Sequence, residues 1–576
     1  MQSPILGIDL GTTHSLCAVF ESGAPRLIAN AHGRWLTPSV VGVLPDGSTV
    51  VGEAARELAV TQPERTVAHF KRWMGEDRKV ELAGRSWQAP ELSALVLRSL
   101  VADAEADLGV PIREAVITVP AYFNENQRRA TRLAGELAGL EVRRILNEPS
   151  AAALAYGLHN AGQIENLLVF DLGGGTFDVT VMEIFEGTLE IRSTAGESHL
   201  GGEDFTDRIV QWALGEQGLQ LEYAEMREPM RVARLRHEAE RAKRALSEHP
   251  LAELRLPDAH GEINPEAQAL ELHREQFIAL CRPLLDRLQR PVMRALGDSD
   301  LAWKDVQTLL LVGGATRMPI LRELLQDWSG QVPQHRLDPD QVVALGAAVQ
   351  AALIADDHAV REIVMTDVCP FTLGVEISKD FGLRRMDGYF LPVIHRNTTI
   401  PVSREETVYT VHEGQNEVLV NIYQGEGRKV ADNLKIGELR VTGIPGNEKN
   451  QAVTLRFTYD INGLLEVEAI IEATGKRFQV LVEHNVQGLS AKEIQAAHER
   501  MQAVKFYPRD DLENQRLLQF GEKILKELHA TRREQLGEIL DYYEMALHSG
   551  NREVFDAARE RLLLILSSLG FPHSED

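Results

Sequence analysis

Residues 169–183 read VFDLGGGTFDVTVME, and residues 6–21 read LGIDLGTTHSLCAVFE. Each is an apolar strand that ends in Asp-Leu-Gly, followed by threonine and a returning strand; Asp9 and Asp171 stand 162 positions apart. Consecutive glycines cost backbone entropy and neighbouring carboxylates repel, so a corner that only turns the chain has no use for Gly173, Gly174 and Gly175 between Asp171 and Asp178. Bare backbone lets a ligand come close, and successive N–H groups make a concavity suited to phosphate. Asp9, Asp171 and Asp178 would repel such a ligand unless cations stand between them, and carboxylates with phosphate oxygens are the usual ligand set of Mg2+. A nucleotide's phosphate tail with its metal uses both features. TLLLVGGATRMPILREL (308–324) adds a strand, Gly313-Gly314 and a helix start, where a base or ribose could approach the backbone. No GxxxxGK[ST] occurs and no GxGxxG opens a strand–helix unit, which excludes the P-loop and the dinucleotide fingerprint.

The elements that must carry these corners alternate. EAVITVP (114–120) precedes NENQRRATRLAGELAGL, in which Asn124 and Gln127 have capping-box spacing and Gly139 marks a helix stop. RRILNEPSAAALAYGL predicts a strand, a turn and a helix with Pro149 in its first turn. Such alternation over the first 360 residues predicts α/β layers. A repeated hairpin at domain-sized spacing predicts a duplicated lobe, with two glycine corners facing across a cleft. Beyond residue 368 the pattern changes to period two, in ETVYTVHE, EVLVNIYQGE, AVTLRFTYDINGLLEVEAIIE and KRFQVLVEH. Asn462-Gly463 predicts a two-residue hairpin turn and Ala473-Thr474-Gly475 another, so 369–486 reads as an antiparallel β-sandwich. From Ser490 a Ser-x-x-Glu capping box opens helical spacing that persists to Leu569, broken near Pro508 and Gly550.

The 576 residues are 44% hydrophobic and 25% charged, as in soluble chains that bury large cores. A formal net charge of −24 argues against nucleic acid and anionic membranes as partners. Cys17, Cys281 and Cys369 form no CxxC or zinc-type cluster and read as core residues of a reducing compartment. The start, MQSPILGIDLGTTHS, has neither a basic n-region nor an apolar h-region, and no apolar run approaches the roughly 20 residues of a membrane span. The expected location is cytoplasmic.

GIDLGTTHS, DLGGGTFD, VPAYFNENQRRAT, NEPSAAALAYG, HLGGEDF, ERAKRALS, LVGGATRMP and DPDQVVALGAAVQAA, then NTTIPVS, YQGEGRKVADN and DINGLLEVEA, stand in the order and approximate spacing of the DnaK-type (seventy-kilodalton heat-shock) chaperones. The chain resembles that family over essentially its whole length. The short C-terminal region and its YPRD are most similar to the HscC branch of bacterial relatives. The resemblance implies a multidomain fold: an α/β actin-like two-lobed ATPase domain (1–360), a linker (361–368), an antiparallel β-sandwich peptide-binding domain (369–486) and a C-terminal α-helical lid (487–576). The activity implied is slow ATP hydrolysis coupled to capture and release of extended apolar segments of unfolded proteins, with ATP/ADP, Mg2+ and K+ as cofactors. A J-domain co-chaperone and a nucleotide-exchange factor are the implied partners.

Residue by residue, the resemblance makes Gly11, Thr12 and Thr13 one phosphate clamp and Gly173, Gly174, Gly175 and Thr176 the other, with Gly201 and Gly202 of HLGGEDF beside them. It makes Asp9 and Asp178 organisers of the Mg2+ and K+ ions, and Asp171 the residue that positions metal-bound water. Lys71 would stand by the γ-phosphate, and Glu148 would orient the nucleophile; pattern alone makes Lys71 a surface lysine and Glu148 a helix-start charge. Glu240, Lys243, Arg244 and Ser247 would hold the adenine with Gly313, Gly314, Arg317 and Asp340, although helix 231–247 by itself reads as a solvated face. Val375, Ser378, Val411, Val418 and Val420 would line the peptide pocket, and Pro120, Arg128 and Asp367 would relay between domains.

The chain departs from the pattern at three points. Thr366 makes the linker EIVMTD more polar than the family form, Ser378 stands where a larger residue is usual, and His14 follows the phosphate threonines with an ordinary pKa that would let it titrate near neutral pH. The paired glycine corners also occur in actin-like filaments and in sugar or acetate kinases, neither of which needs the trailing 200 residues. A regulator that keeps the fold and barely hydrolyses ATP is a third reading, and the joint presence of Lys71, Glu148, Asp171 and Thr176 argues against it.

Overall fold

The computed structural model describes the chain except residues 1–3, 161–163, 186–187, 265, 267, 334–336, 362, 382–383, 447–449, 462, 483–511, 550–551, 570 and 572–576. It is a mixed α/β structure that divides into two compact units, Met1–Pro370 and Phe371–Asp576.

In the first unit two sheets share one wiring. Strand Ile5–Asp9 runs antiparallel to His14–Glu21, which pairs with Ala24–Leu27, and parallel to Glu114–Val119, followed by Glu141–Asn147. Strand Glu165–Leu172 runs antiparallel to Phe177–Phe185, which pairs with Thr188–Glu197, and parallel to Thr308–Val312. Both aspartate strands therefore sit between an antiparallel neighbour and a parallel one. Residues Val364–Val368 extend the second sheet, parallel to Thr188–Glu197 in the register Leu189↔Met365. The segment expected as a linker is, over these residues, a strand of this unit.

Helices Glu148–Asn160 and Val342–Ile354 pack in contact with each other. The second of them is apolar nearly all round and almost wholly buried, as a helix enclosed on every side must be. Glycines set how closely it can lie. A Cβ on Gly346 would fall 1.7 Å from the Ala151 carbonyl oxygen, and one on Gly7 2.3 Å from the Ala348 nitrogen. Helix Glu125–Leu137 starts with the reciprocal cap that its sequence spells: Gln127 N–H donates to Asn124 Oδ1 (3.1 Å) and Asn124 N–H to Gln127 Oε1 (2.9 Å). Gly139 follows its end at φ +89°. Strand Glu141–Asn147 passes directly into helix Glu148–Asn160, with no turn where one was expected; Pro149, in the first helical turn, lacks only an N–H that would have no partner there. The three cysteines are buried thiols, and burial pushes those of Cys17 and Cys281 up to about 12.

The second unit holds two four-stranded antiparallel sheets. One has the order Arg384–Ile394, Leu373–Phe381, Glu417–Gln424, Leu434–Thr442, and the other Val402–Tyr409, Ala452–Tyr459, Leu465–Ile471, Lys476–Leu481. Strands Ala452–Tyr459 and Leu465–Ile471 pair out to Tyr459↔Leu465, where the Asp460 carboxylate accepts from Leu464 N–H (2.9 Å) and Gly463 has φ +78°; Asn462, half of the expected two-residue turn, lies outside the described residues. Helices Leu512–Glu527, Ala530–Ser549 and Arg552–Ser568 pack around Leu536, Tyr543, Ala558 and Leu562. The capping box expected at Ser490 lies outside the described residues. Among the described residues no helix is long and apolar enough to cross a membrane.

Because Gly346 meets backbone rather than a yielding side chain, Gly346→Val should destabilise the first unit by about 3 kcal/mol. The check is the midpoint of its urea transition; an unchanged midpoint would mean the helix crossing is not as close as described.

Candidate active site

The two glycine corners meet each other. A Cβ on Gly174 would lie 2.5 Å from Thr13 Cγ2, and one on Gly175 would lie 2.7 Å from Thr12 Cγ2 and 2.8 Å from Arg72 Nε. Gly201 is as crowded, 2.5 Å from the backbone of Gly174 and Gly175, whereas Gly173 makes only ordinary contact. None of Gly173, Gly174 and Gly175 has a positive φ. Gly174 and Gly175 are glycines because a side chain would hold the corners apart, and not because the turn demands a left-handed backbone. Gly202 N–H donates to Gly173 O and Glu203 N–H to Gly174 O, both at 2.9 Å, which fastens the HLGGEDF segment to the second corner.

Acids crowd behind this cradle. Antiparallel register places Asp171 directly across from Asp178, a like-charge pairing that a sheet ordinarily avoids. Asp178 accepts from Ala121 N–H (3.0 Å) and Tyr122 N–H (3.2 Å), and Asp9 from the Thr118 hydroxyl (3.3 Å). Asp171 Oδ2 is buried with no hydrogen-bond partner. Burial, then the Glu148 carboxylate, pushes Asp9 and Asp178 up to about 7, with Lys71 opposing. Asp171 is held well above the usual carboxylate range by burial and by Glu148, Asp178 and Asp9.

One cation answers four acids. Lys71 is 3% exposed, with Nζ 2.7 Å from Glu148 Oε1 and 5.5 Å from the Phe123 ring centroid. The surface reading of Lys71 is thereby overturned, since the 3-10 turn Phe70–Trp73 buries it. Among the described residues no three acidic, imidazole or thiol groups converge to cage a metal alone. The orphaned Asp171 oxygen and the glycine cradle fit a cation shared with phosphate oxygens and water.

On helix Pro229–Glu248, Lys243 Nζ reaches Gly202 O (2.8 Å), Thr206 Oγ1 (2.9 Å) and Glu240 Oε2 (2.5 Å), while Arg244 holds the other Glu240 oxygen (2.8 Å). Arg317 forks onto Asp340 (2.8 and 2.9 Å) and reaches Asp338 (2.7 Å). A Cβ on Gly314 would strike that same Asp340 carboxylate at 2.6 Å. Gly313, at φ +81°, lies against Leu172 O at the base of the second corner. Ser247 lines a small cleft with Lys243, Leu246 and Met318. His14 does not titrate near neutrality: burial, then Arg244 and Arg56, holds it at about 4, so the ring is uncharged at pH 7.

Three contacts were not foreseen from the sequence. Arg72 pairs with Asp204 (2.5 Å) and His69 with Glu203 (3.3 Å), which ties the Lys71 turn to the segment beside Gly202. Asn147, next to Glu148, joins the expected relay residues. Arg128 donates to Ala121 O (3.0 Å), Phe123 O (3.1 Å) and Asn147 Oδ1 (2.6 Å), and Asn147 Nδ2 donates to Asp367 (3.0 Å). Pro120 opens the same loop, its carbonyl accepting from Phe123 N–H (3.1 Å). The only signal available was adjacency, Arg72 beside Lys71 and Asn147 beside Glu148.

In the second unit Val375 and Val420 are buried, Val411 and Val418 half-buried, and Ser378 donates to Asp387 (2.6 Å). Strand Leu373–Phe381 pairs with Glu417–Gln424 only as far as Val375↔Ile422, although both strands continue.

Comparison with known proteins places the chain in a family. The family described as "Hsp70 protein" matches residues 5–81 and 76–560. The chain is 41% identical over 506 residues to "Chaperone protein DnaK" of Trichormus variabilis, covering 83% of this chain and 72% of that one. It is 42% identical over 487 residues to "Chaperone protein DnaK" of Thermotoga petrophila, covering 83% and 80%. The chain belongs to the Hsp70 family. Members of this family are ATPases, and the protein is an ATP-dependent molecular chaperone.

Removing the charge that lacks a partner should separate stability from chemistry. Asp171→Asn should raise the melting temperature of the nucleotide-free chain and lower single-turnover ATP hydrolysis by about 10- to 100-fold. Lower stability with intact hydrolysis would show that the Asp171 charge is satisfied and idle.

Proposed function

We propose that residues 1–360 are an actin-like two-lobed ATPase, 361–368 a coupling linker, 369–486 a peptide-binding β-sandwich and 487–576 a lid, in a chaperone closest to the HscC branch. The shared wiring of the two sheets supports the lobes, and the two four-stranded sheets support the sandwich. Hydrolysis needs little covalent help from protein: positioned water and screened charge suffice for phosphoryl transfer. Lys71, drawn in by Glu148, supplies a fixed positive charge beside the cradle, and Asp171 offers a free acceptor oxygen to orient water. Thr12, Thr13 and Thr176 line the clamps, and Glu240, Lys243, Arg244, Ser247, Gly314, Arg317 and Asp340 form the wall that would receive adenosine. Mg2+ and K+, held through Asp9 and Asp178, would supply the charge that offsets the acids and phosphates.

The observation that carries the coupling is a hydrogen-bond chain from the site to residue 367. Asp178 is held by the backbone of Ala121 and Tyr122, Arg128 grips Ala121 O, and Asn147 passes the contact to Asp367. A shift of Asp178 on nucleotide binding would move that chain, and by thermodynamic reciprocity peptide binding would act back on the site. The split of strands beyond Val375↔Ile422 supports extended peptide as the ligand, because unpaired strand backbone accepts an added segment. Val375, Ser378, Val411, Val418 and Val420 are the side chains proposed to meet it. A J-domain co-chaperone, a nucleotide-exchange factor and a cytoplasmic setting complete the reading.

Single-turnover ATP hydrolysis, with and without an unfolded apolar peptide, tests it. Hydrolysis should be slow, accelerated by peptide and lost in Lys71→Ala. Asp367→Ala should keep basal hydrolysis within about twofold and lose the peptide acceleration, since it removes the last link of the chain and leaves Lys71, Glu148 and the three aspartates in place. Brisk hydrolysis stimulated by a small hydroxylated metabolite would favour a kinase instead.

A further inference from the structure

The hairpin formed by strands Leu373–Phe381 and Arg384–Ile394 ends in a cationic rim. Lys379 and Arg384 are exposed there, and the neighbouring segment brings Arg428 and Lys429 to the same place through a Tyr389–Lys429 bridge and a Phe390 N–H to Arg428 O bond (3.1 Å). Three of these cations surround one ring: Lys429 Nζ lies 3.2 Å, Lys379 Nζ 5.4 Å and the Arg428 guanidinium 5.9 Å from the Tyr389 centroid. A ring face attracts one cation, but three held together repel, and the ring cannot neutralise them.

Most nearby acids are engaged elsewhere, Glu376 with Asn421 (3.0 Å) among them, while Asp432 stands exposed in the turn after Lys429. Asp380 pairs with Arg385 (3.0 Å), Asp387 takes Ser378, and Glu426 takes Thr372 and Arg396. Among the described residues no carboxylate pairs with Lys379, Arg384, Arg428 or Lys429. Four unneutralised cations on one rim run against the chain's net charge of −24. Strand Leu373–Phe381 leaves its partner at Val375, four residues before Lys379, and Phe381 and Met386, farther along the hairpin, are 53% and 48% exposed.

Resting on the reading that the second unit takes extended peptide, we propose that this rim selects segments whose apolar stretch is flanked by aspartate or glutamate. Carboxylates a few residues from the stretch would find cations already aimed outward, with a fixed ring setting their positions. A long polyanion would instead meet the negative field of the whole chain, whereas flanking carboxylates sense charges within about 8 Å, the screening length at physiological salt.

The test uses the full chain and three peptides sharing one apolar core, flanked by glutamates, lysines or serines. The glutamate-flanked peptide should bind about tenfold tighter than the lysine-flanked one at low salt, and the gap should close at about 0.5 M salt. A variant carrying Lys379→Ser, Arg384→Ser and Lys429→Ser, with unchanged circular dichroism, should lose that gap and keep the affinity for the serine-flanked peptide. Equal binding of all three peptides by the wild-type chain would overturn the proposal and leave peptide binding standing. If none binds, the peptide reading itself fails and the rim proposal with it. Tight binding of an oligonucleotide that depends on the same three cations, without preference among the peptides, would also overturn it.

Discussion

Antiparallel pairing sets Asp171 against Asp178 at the end of a buried hairpin, where burial and then Glu148 push both upward, Asp9 adds to the push on Asp171, and Lys71 opposes. Few arrangements cost a nucleotide-free fold more, because each ionised carboxylate has lost its water and sits in its neighbours' field. Much of the first unit reads as a way of holding that charge in place. Backbone N–H groups of Ala121 and Tyr122 steady Asp178, the Thr118 hydroxyl steadies Asp9, and Glu148 draws Lys71 into a 3% exposed position. Asp171 Oδ2 is left buried without a hydrogen-bond partner.

Close approach is the second constraint. At Gly174, Gly175 and Gly201 the corners touch so closely that a methyl group would part them, and Gly346 and Gly7 do the same for a helix crossing and for a helix on a strand. Packed interiors transmit such displacements instead of absorbing them. A phosphate tail entering between the corners would therefore be felt at the Lys71 turn, through Arg72 against Gly175, and at the HLGGEDF segment, through the Arg72–Asp204 and His69–Glu203 pairs.

Asn147 and Glu148 are consecutive residues with opposite allegiances. Glu148 opens a helix and faces the buried lysine, and Asn147 ends a strand and faces Asp367. One peptide bond thus connects the acid cluster to residue 367, where a polar Thr366 does not prevent strand formation beside Leu189 and Glu190. In the second unit the same economy appears in strand Leu373–Phe381, whose first residues pair with Glu417–Gln424 and whose last carry Lys379 beside the Tyr389 ring.

What the sequence determined by itself was local or repeated. The Asn124–Gln127 cap, the Gly139 stop and the Asp-Leu-Gly hairpins are written in neighbouring residues, and period-two segments ending at glycine are enough to mark antiparallel strands. The motif order carried the family as well. The tertiary structure decided where a side chain's surroundings come from distant segments. Lys71 reads as surface until its turn is buried against Phe123 and Glu148, and His14 reads as titratable until it is buried with Arg244 and Arg56 brought to it. Glycine's role widened too: the run at 173–175 reads as bare backbone for a ligand, and at Gly174 and Gly175 it also leaves room for Thr12, Thr13 and Arg72. The physical reason is the same throughout. Hydrogen-bond caps and strand alternation are settled within a few residues, whereas desolvation, charge pairing and steric clearance depend on which parts of the chain are packed together.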